Sequence, residues 1–419
     1  MPSFLSSRID ASAQASSAAD WLALGLDQAL EDALPELIQL RRHLHRHPEL
    51  SGHEHQTAAL VAGELRRLGW EVREGVGRTG VVAELGPAQA PVVALRVDLD
   101  ALPVEERTGL PYASTVQGLM HACGHDLHTT LGLGVARLLA PLAGDLRARV
   151  RLLFQPAEET AQGARWMLAD GAMEGVQALF GVHGFPSLAV GTIGVRSGSL
   201  TAAAGELEVE VIGEGGHGAR PHQSTDAIWI AARVVSGLQE AISRRLDALH
   251  PVVVSFGRIE GGKAFNVIAD HVRLLGTVRC LDPEVHALLP GWIEDTVVAL
   301  CRGHGGEARV RYREIAPPVH NDPALTALVE GAARDLLGPG QVLRLEQPSL
   351  GAEDFAQLLS AAPGTMFRLG LAGPDGCTPL HSNTFALDEG ALAVGLKVLT
   401  LSLLRWMEAG GLPAPEARR

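Results

Sequence analysis

The sequence predicts an α/β fold with an inserted α+β domain. In the first and last parts of the chain, short and nearly continuous apolar runs alternate with helical patterns, which is typical of a sheet buried on both faces. In the middle, strands alternate polar and apolar residues, as half-exposed antiparallel strands do. With 419 residues the chain is long for one core. We therefore predict one domain from residues 1–200 and 313–419, and an insert from residues 201–312.

The elements of the first domain follow from the spacing of its apolar residues. Helical spacing predicts helices over residues 24–45, 57–68, 129–142 and 389–407. The first helix should end before Pro48, because the residue that precedes a proline disfavours the α conformation. The second should end at Gly69. Apolar runs predict buried strands over residues 81–85, 91–97, 149–155, 178–182 and 365–370.

The predicted insert has a different pattern. Alternation predicts strands over residues 205–213, 252–259 and 271–279, and amphipathic spacing predicts helices over residues 226–246 and 283–301. Strands and helices in this order are typical of an α+β unit.

Composition and charge exclude several function classes. Apolar residues make up 46% of the chain and the net charge is −13 at pH 7, which disfavours nucleic acid or an anionic membrane as the main partner. No apolar run approaches the roughly 18 residues of a transmembrane helix. Residues 1–20 are typical of a loose tail rather than a signal peptide. The four cysteines are scattered without a disulfide framework, so we predict a cytoplasmic protein whose thiols are available as ligands.

The stretch from His121 to His128, with the sequence HACGHDLH, contains three imidazoles, a thiol and a carboxylate. Cys123 and His125 have one residue between them, so a turn could direct both side chains at one metal ion. Histidines also cap helices or lie hydrogen-bonded in cores, so this stretch alone leaves metal binding and a structural role both open.

Several predicted strands are each followed by an acid, a thiol or an imidazole. In open α/β sheets the functional crevice lies at the carboxyl ends of the strands, so side chains far apart in sequence can converge there. Besides Cys123 and His125, the residues at such positions are Asp98, Asp100, Glu158, Glu159, His183 and His381. In extended chain the two aspartates would project to the same side and the two adjacent glutamates to opposite sides.

A set of ordered motifs carries a family resemblance. In chain order they are RVDLDALP (96–103), MHACGHD (120–126), FQPAEE (154–159), GGH (215–217), GGKAFNVI (261–268) and EDF (353–355). From about Leu37 to the final helix, the sequence resembles the amidohydrolase branch of the aminoacylase/carboxypeptidase G-like metallopeptidases. That branch includes hippurate hydrolases, N-acyl-amino-acid amidohydrolases and auxin–amino-acid conjugate hydrolases.

The resemblance implies a zinc-peptidase-like catalytic domain with a mixed, mainly parallel sheet. The insert is then a lid that commonly forms the contact of a homodimer. Two divalent metal ions per subunit, zinc or manganese, are also implied. The residues that match the metal ligands are Cys123, His125, Glu159, His183 and His381. Glu158 matches the general base, and Asp98 and Asp100 match groups that support the ligands. In the lid, His217, Asn266 and Arg279 match the residues that hold the scissile carbonyl and the carboxylate of the substrate.

Residues and resemblance together favour metal-dependent hydrolysis of N-acyl-L-amino acids, a small-molecule substrate class. A divalent ion can lower the pKa of a bound water from ~15.7 to about 7, and the thiolate of Cys123 could bridge two ions. Glu158 would take a proton from that water and pass it to the leaving nitrogen.

Two alternatives remain open at this point. The first is a dipeptidase or aminopeptidase with the same metals, which would need an acid for the free ammonium group of its substrate. The second is a non-catalytic metal-binding protein, which would not need Glu158. Phosphoryl transfer and serine hydrolase chemistry are disfavoured, because the sequence contains neither a glycine-rich phosphate loop nor a G-x-S-x-G elbow with suitable partners.

Overall fold

The computed structural model describes residues 18–411 of the chain. In chain order the strands are β1 (Glu71–Val76), β2 (Gly80–Leu85), β3 (Val92–Asp98), β4 (Arg149–Gln155), β5 (Val176–Ala189), β6 (Ile193–Val195), β7 (Gly198–Ser199), β8 (Ala203–Ile212), β9 (Gly216–His217), β10 (Val252–Gly261), β11 (Val267–Ile268), β12 (His271–Cys280), β13 (Glu307–Ala316), β14 (His320–Asn321), β15 (Val342–Arg344) and β16 (Gly364–Ala372). The helices are α1 (Ala18–Arg46), α2 (His55–Arg67), α3 (His125–Leu139), α4 (Gly163–Ala169), α5 (Ala227–Arg245), α6 (Pro283–Gly303), α7 (Pro323–Leu337), α8 (Phe355–Leu358) and α9 (Ala391–Glu408).

The larger sheet has eight strands in the order β1-β2-β4-β3-β5-β16-β6-β15. Parallel pairing joins β4 to β3, β3 to β5, β5 to β16 and β6 to β15. The outer hairpin β1-β2, the pair β2-β4 and the pair β6-β16 are antiparallel. The predicted α/β fold with a mixed, mainly parallel sheet is therefore confirmed.

The central strands of this sheet are buried on both faces. In β3, for example, Val93, Leu95 and Val97 face a core formed with α1, α3 and α9, whereas Ala94 faces a second core formed with α4 and α8. Apolar side chains are therefore required at successive positions, which explains the nearly continuous apolar runs in the sequence.

The middle of the chain forms an antiparallel sheet of four strands in the order β10-β12-β8-β13, with α5 and α6 packed on one face. On β8, Leu207, Val209 and Val211 contact these helices. The intervening glutamates lie on the outer face of the sheet, where they pair with arginines of β12 and β13. These pairs are Glu206–Arg313, Glu208–Arg273, Glu208–Arg311 and Glu210–Arg309. The inserted α+β unit is thus confirmed. Its predicted limits at residues 201 and 312 stay a prediction, and the last strand of its sheet continues to Ala316.

Several predicted elements differ from the observed ones. Helix α3 begins at His125 rather than at residue 129, because Gly124 adopts a left-handed conformation (φ 83°) and turns the chain directly into the helix. His183 lies inside β5 rather than after it, because the ladder between β5 and β16 continues as far as Ala189 and Ala372. The elements that were not predicted are β1, β6, β7, β9, β11, β13, β14, β15, α4, α7 and α8. Residues 1–17 of the predicted tail lie outside the described residues.

Two further sequence predictions concern the environment of the protein. Between residues 18 and 411, no helix combines the length and the apolar character needed to span a membrane. All four cysteines are free thiols, as the scattered spacing predicted. The cytoplasmic location stays a prediction.

A buried charge network connects α1 to the first turn of α3. Asp126 is fully buried, and its Oδ2 atom lies 2.7 Å from Nε of Arg41 and 2.8 Å from Nδ1 of His45. Burial alone would raise the pKa of Asp126, but the charges of Arg41 and His45 hold that pKa well below its usual range. Asp126 is therefore a carboxylate, and its position next to His125 depends on the cation from α1.

We expect Arg41→Met to lower the free energy of unfolding by about 3–5 kcal/mol, because it leaves a buried carboxylate without its cation. Arg42→Met is the matched control. Arg42 is the next residue of the same helix, is 37% exposed, and pairs with Glu389 at 2.6 Å, so its loss should cost no more than about 1 kcal/mol. Urea denaturation measures the free energy of unfolding of both variants. Equal decreases would show that the buried Arg41–Asp126 pair stabilises the protein no more than the partly exposed Arg42–Glu389 pair does.

Candidate metal centre

Two buried histidines present one free ring nitrogen each to a common point. Nδ1 of His125 donates to the backbone carbonyl of Asp100 at 2.9 Å, and Nδ1 of His183 donates to the carbonyl of Gly184 at 2.7 Å. These bonds fix the tautomer, so Nε2 of each ring has a free lone pair. Nε2 of His183 lies 3.6 Å from Sγ of Cys123, and Nε2 of His125 is buried without a hydrogen-bond partner in the described chain.

Glu158 and Glu159 lie in a tight turn after β4, rather than in extended chain. Ala157 has a left-handed conformation (φ 52°) that reverses the chain before them. Consequently the two side chains do not point to opposite sides as predicted: one carboxylate oxygen of each lies 3.9 Å from Nε2 of His125. Burial raises the pKa of both glutamates, and the charges of the neighbouring acids raise the pKa of Glu158 further.

Cys123 is shared by two groups of potential ligands. One group contains Cys123, His125 and His183, and the other contains Cys123, Glu159 and His381; within each group the ligating atoms lie within 4.8 Å of one another. His381 follows β16 after a loop and has a left-handed backbone (φ 64°), a strained conformation that is common at functional sites. The structure thus brings together the five side chains that match metal ligands, from four separate parts of the chain.

The chemistry of this cluster fits divalent metal ions. Nε2 of His125 and Oε1 of Glu159 are both buried and lack a hydrogen-bond partner among the described residues, which is costly unless a ligand satisfies them. Burial raises the pKa of the Cys123 thiol, so a nearby cation is needed to produce the thiolate. A donor set of nitrogen, oxygen and sulfur suits zinc, and carboxylates with water suit manganese.

Asp98 and Asp100 both lie next to the ring of His125. Oδ1 of Asp100 is 3.2 Å from Nδ1 of His125, and its Oδ2 accepts hydrogen bonds from the hydroxyl of Ser51 and the backbone N–H of Glu159. Oδ1 of Asp98 lies 3.9 Å from Nε2 of His125. Both aspartates therefore reach the same ring, and Asp100 contacts two of the potential ligands at once.

Sequence reasoning did not assign the groups that surround Asp98. His128 donates from Nδ1 to Oδ1 of Asp98 at 2.7 Å and accepts a hydrogen bond from the N–H of Gly184 at Nε2, so both ring nitrogens are already occupied. Arg96 is completely buried and lies 2.7 Å from Oδ2 of Asp98. Its other partners are Gln155, Glu353 and Asp354. An arginine inside an apolar strand was the signal that could have identified this network.

The three lid residues lie elsewhere in the subunit. His217 and Asn266 are neighbours on the ribbon formed by β9 and β11, where the N–H of Gly218 donates to the carbonyl of Asn266 at 2.8 Å. Both are exposed, whereas Arg279 is half-buried on β12. In the part of the chain that the structure describes, no hydrogen bond or ion pair joins these three residues to the five-residue cluster.

An α/β sheet with a cluster of potential metal-ligating groups at its carboxyl edge, together with an inserted α+β unit, is typical of two-domain metallohydrolases. Residues 94–405 match the model of peptidase family M20/M25/M40. The chain belongs to this family and is a metal-dependent hydrolase of amide bonds.

Named relatives agree with its amidohydrolase branch. A probable hydrolase of Synechocystis sp. is 53% identical over 385 residues, which cover 91% of this chain and 98% of that protein. An N-acetyl-L-cysteine deacetylase of Bacillus subtilis is 40% identical over 362 residues, 85% of each chain. A solved dinuclear metal-binding peptidase of the M20 family from Bacillus subtilis has a TM-score of 0.79 and 36% identity, over 90% of this chain and 99% of that one.

Proposed function

We propose that this chain hydrolyses the amide bond of N-acyl-L-amino acids at a centre of two divalent ions, zinc or manganese. Cys123, His125, Glu159, His183 and His381 would hold the ions. The observation that carries the proposal is the sharing of Cys123 between two ligand groups, with a carboxylate oxygen of Glu158 only 3.9 Å from Nε2 of His125. The named deacetylase and the dinuclear peptidase among its relatives support the same reading.

When bound, such ions lower the pKa of water and polarise a carbonyl group. Glu158 is the proposed general base. It is buried, and burial together with the charges of Glu353 and Asp354 raises its pKa, which makes it a better proton acceptor when it is ionised. Glu158 takes a proton from the attacking water and then delivers it to the nitrogen of the leaving amino acid. The products are a carboxylic acid and a free amino acid.

Arg279 is proposed to bind the α-carboxylate of the substrate. Its guanidinium donates to the hydroxyl of Thr277 at 2.7 Å and to the carbonyl of Val278, and no carboxylate of the described chain pairs with it. By contrast, Arg273 on the same strand pairs with Glu208. A half-buried guanidinium without an anion offers a bidentate fork for a substrate carboxylate.

His217 and Asn266 are proposed to complete the site from a neighbouring subunit. They are exposed on a projecting ribbon, where the oxyanion of a reacting amide could contact His217. Large apolar side chains around this ribbon are also exposed, as expected of an interaction surface. They are Ile228, Trp229, Phe265 and Val267. We therefore infer that the protein forms a homodimer through the lid. We also propose that it acts in the cytoplasm. The net charge of −13 disfavours nucleic acid or an anionic membrane as a partner.

The alternative functions receive less support. A dipeptidase or aminopeptidase needs a free acid for the ammonium group of its substrate, but Asp98, Glu353 and Asp354 are all engaged by Arg96. A non-catalytic metal-binding protein needs no carboxylate at the position of Glu158, whose burial is unfavourable unless it has a role.

Glu158→Gln should retain bound metal and lower kcat by about 10²–10⁴-fold, because it removes the proton acceptor. Metal analysis and the hydrolysis of hippurate and N-acetyl-methionine measure the two effects separately. Activity within tenfold of the parent enzyme would remove Glu158 from this role.

Arg279→Ala should raise KM for N-acyl-amino acids by about 10–100-fold, because a charge-assisted hydrogen bond is lost. KM for the corresponding N-acyl-amino amides, which lack the carboxylate, should change much less. Arg273→Ala is the control, since Arg273 lies on the same strand and already has Glu208 as its partner. An equal effect of Arg279→Ala on acids and amides would contradict carboxylate recognition.

A further inference from the structure

Arg368, on β16, is a buried arginine that forms no ion pair with a carboxylate of the described chain. Its side chain is 6% exposed, yet its guanidinium makes no hydrogen bond and no ion pair with the described residues. Its close contact is the ring of Phe185, whose centroid lies 5.5 Å from Cζ. An unpaired buried charge is strongly unfavourable, and buried charges are normally paired or bound to a ligand.

The other buried arginines show how unusual this is. Arg96 contacts Asp98, Glu353 and Asp354, and Arg41 pairs with Asp126. The two buried arginines of β4 both pair with Glu84; they are Arg149 and Arg151. Each of these cations is neutralised inside the protein, so Arg368 differs in lacking such a partner rather than in being buried.

Arg368 lies at the level of the candidate metal centre. In the parallel pairing of β16 with β5, it is the direct neighbour of His183. Phe185, two residues further along β5, projects to the same face and is half-buried. Burial lowers the pKa of Arg368, whereas the nearby ionisable groups of Glu353, Cys123 and Glu158 act in the opposite direction. Its guanidinium therefore belongs to the wall of the site on the His183 side, a different place from Arg279 in the lid.

We propose that Arg368 binds a second carboxylate on the substrate, so that the enzyme prefers N-acyl-amino acids that carry a carboxylate on the acyl group or on the amino-acid side chain. The inference rests on the proposed function, in which Arg279 takes the α-carboxylate. A guanidinium presents a planar pair of donors that matches a carboxylate, and the ring of Phe185 holds this plane in place. Arg368 is thus a specificity-determining residue on the catalytic domain.

The preference is measured with substrate pairs that differ in one carboxylate. N-succinyl-methionine against N-acetyl-methionine tests a carboxylate on the acyl group, and N-acetyl-glutamate against N-acetyl-glutamine tests one on the side chain. For the metal-loaded parent enzyme, kcat/KM should favour the dicarboxylate by about 10–100-fold in one pair, the size expected of a charge-assisted hydrogen bond. The favoured pair identifies the source of the carboxylate.

Arg368→Met should reduce that ratio to near one, and Arg368→Lys, which keeps the charge but lacks the fork, should give an intermediate ratio. Arg344→Met is the matched control, because Arg344 is exposed and already paired with Glu330; its ratio should equal that of the parent. A parent enzyme without preference in either pair would overturn the proposal. The proposal would also be overturned if Arg368→Met lowered kcat/KM equally for both substrates of a pair. That result would indicate that Arg368 is a counter-charge or binds the α-carboxylate.

A binding measurement separates this proposal from the proposed function. Calorimetric titration of the metal-loaded enzyme with succinate, glutamate and acetate requires no turnover, and it is carried out on the parent enzyme and on Arg368→Met. At least one of the two dicarboxylates should bind at least tenfold more tightly than acetate, and Arg368→Met should lose that advantage. If none of the four substrates is hydrolysed, the proposed function fails, while the titration still decides whether Arg368 recognises a second carboxylate. Equal binding of all three compounds would reject it.

Discussion

The constraint on which the structure depends is the burial of many acidic groups at the carboxyl edge of the larger sheet. Asp98, Asp100, Glu158, Glu353 and Asp354 are all buried within one small region. One fully buried arginine of the chain neutralises part of this charge. Since like charges in a low-dielectric interior repel strongly, the remaining charge favours bound cations. Divalent ions would also provide partners for Nε2 of His125 and Oε1 of Glu159, which have no hydrogen-bond partner among the described residues.

Most of the surrounding structure orients these groups. A backbone carbonyl holds the ring of His183, and the carbonyl and side chain of Asp100 hold the ring of His125. Asp126, the next residue, is fixed by the cation of α1. The long first helix thus contributes to the position of His125, a proposed ligand that lies about 80 residues later in the chain. The position of His125 therefore depends on the packing of α1.

Local signals in the sequence predicted much of this arrangement. Apolar periodicity predicted the main strands and helices, and the residues that follow the strands predicted which side chains converge. The partners that particular side chains find in distant segments could not be predicted from local patterns. The contact of Arg96 with Asp354 depends on a hydrogen bond across 258 positions, and the pairing of Arg368 with His183 depends on strand register. The start of α3 at His125 depends on the conformation of one glycine, which spacing alone does not specify.

The central claim is that side chains from distant parts of the chain form one centre for two metal ions around Cys123. It is tested most directly by anomalous diffraction from crystals of the metal-loaded protein, collected at the zinc and manganese absorption edges. We expect two anomalous peaks, both within bonding distance of Sγ of Cys123, with His125, Glu159, His183 and His381 as further ligands. A single peak remote from this thiol, or no peak at all in protein that hydrolyses its substrate, would contradict the account.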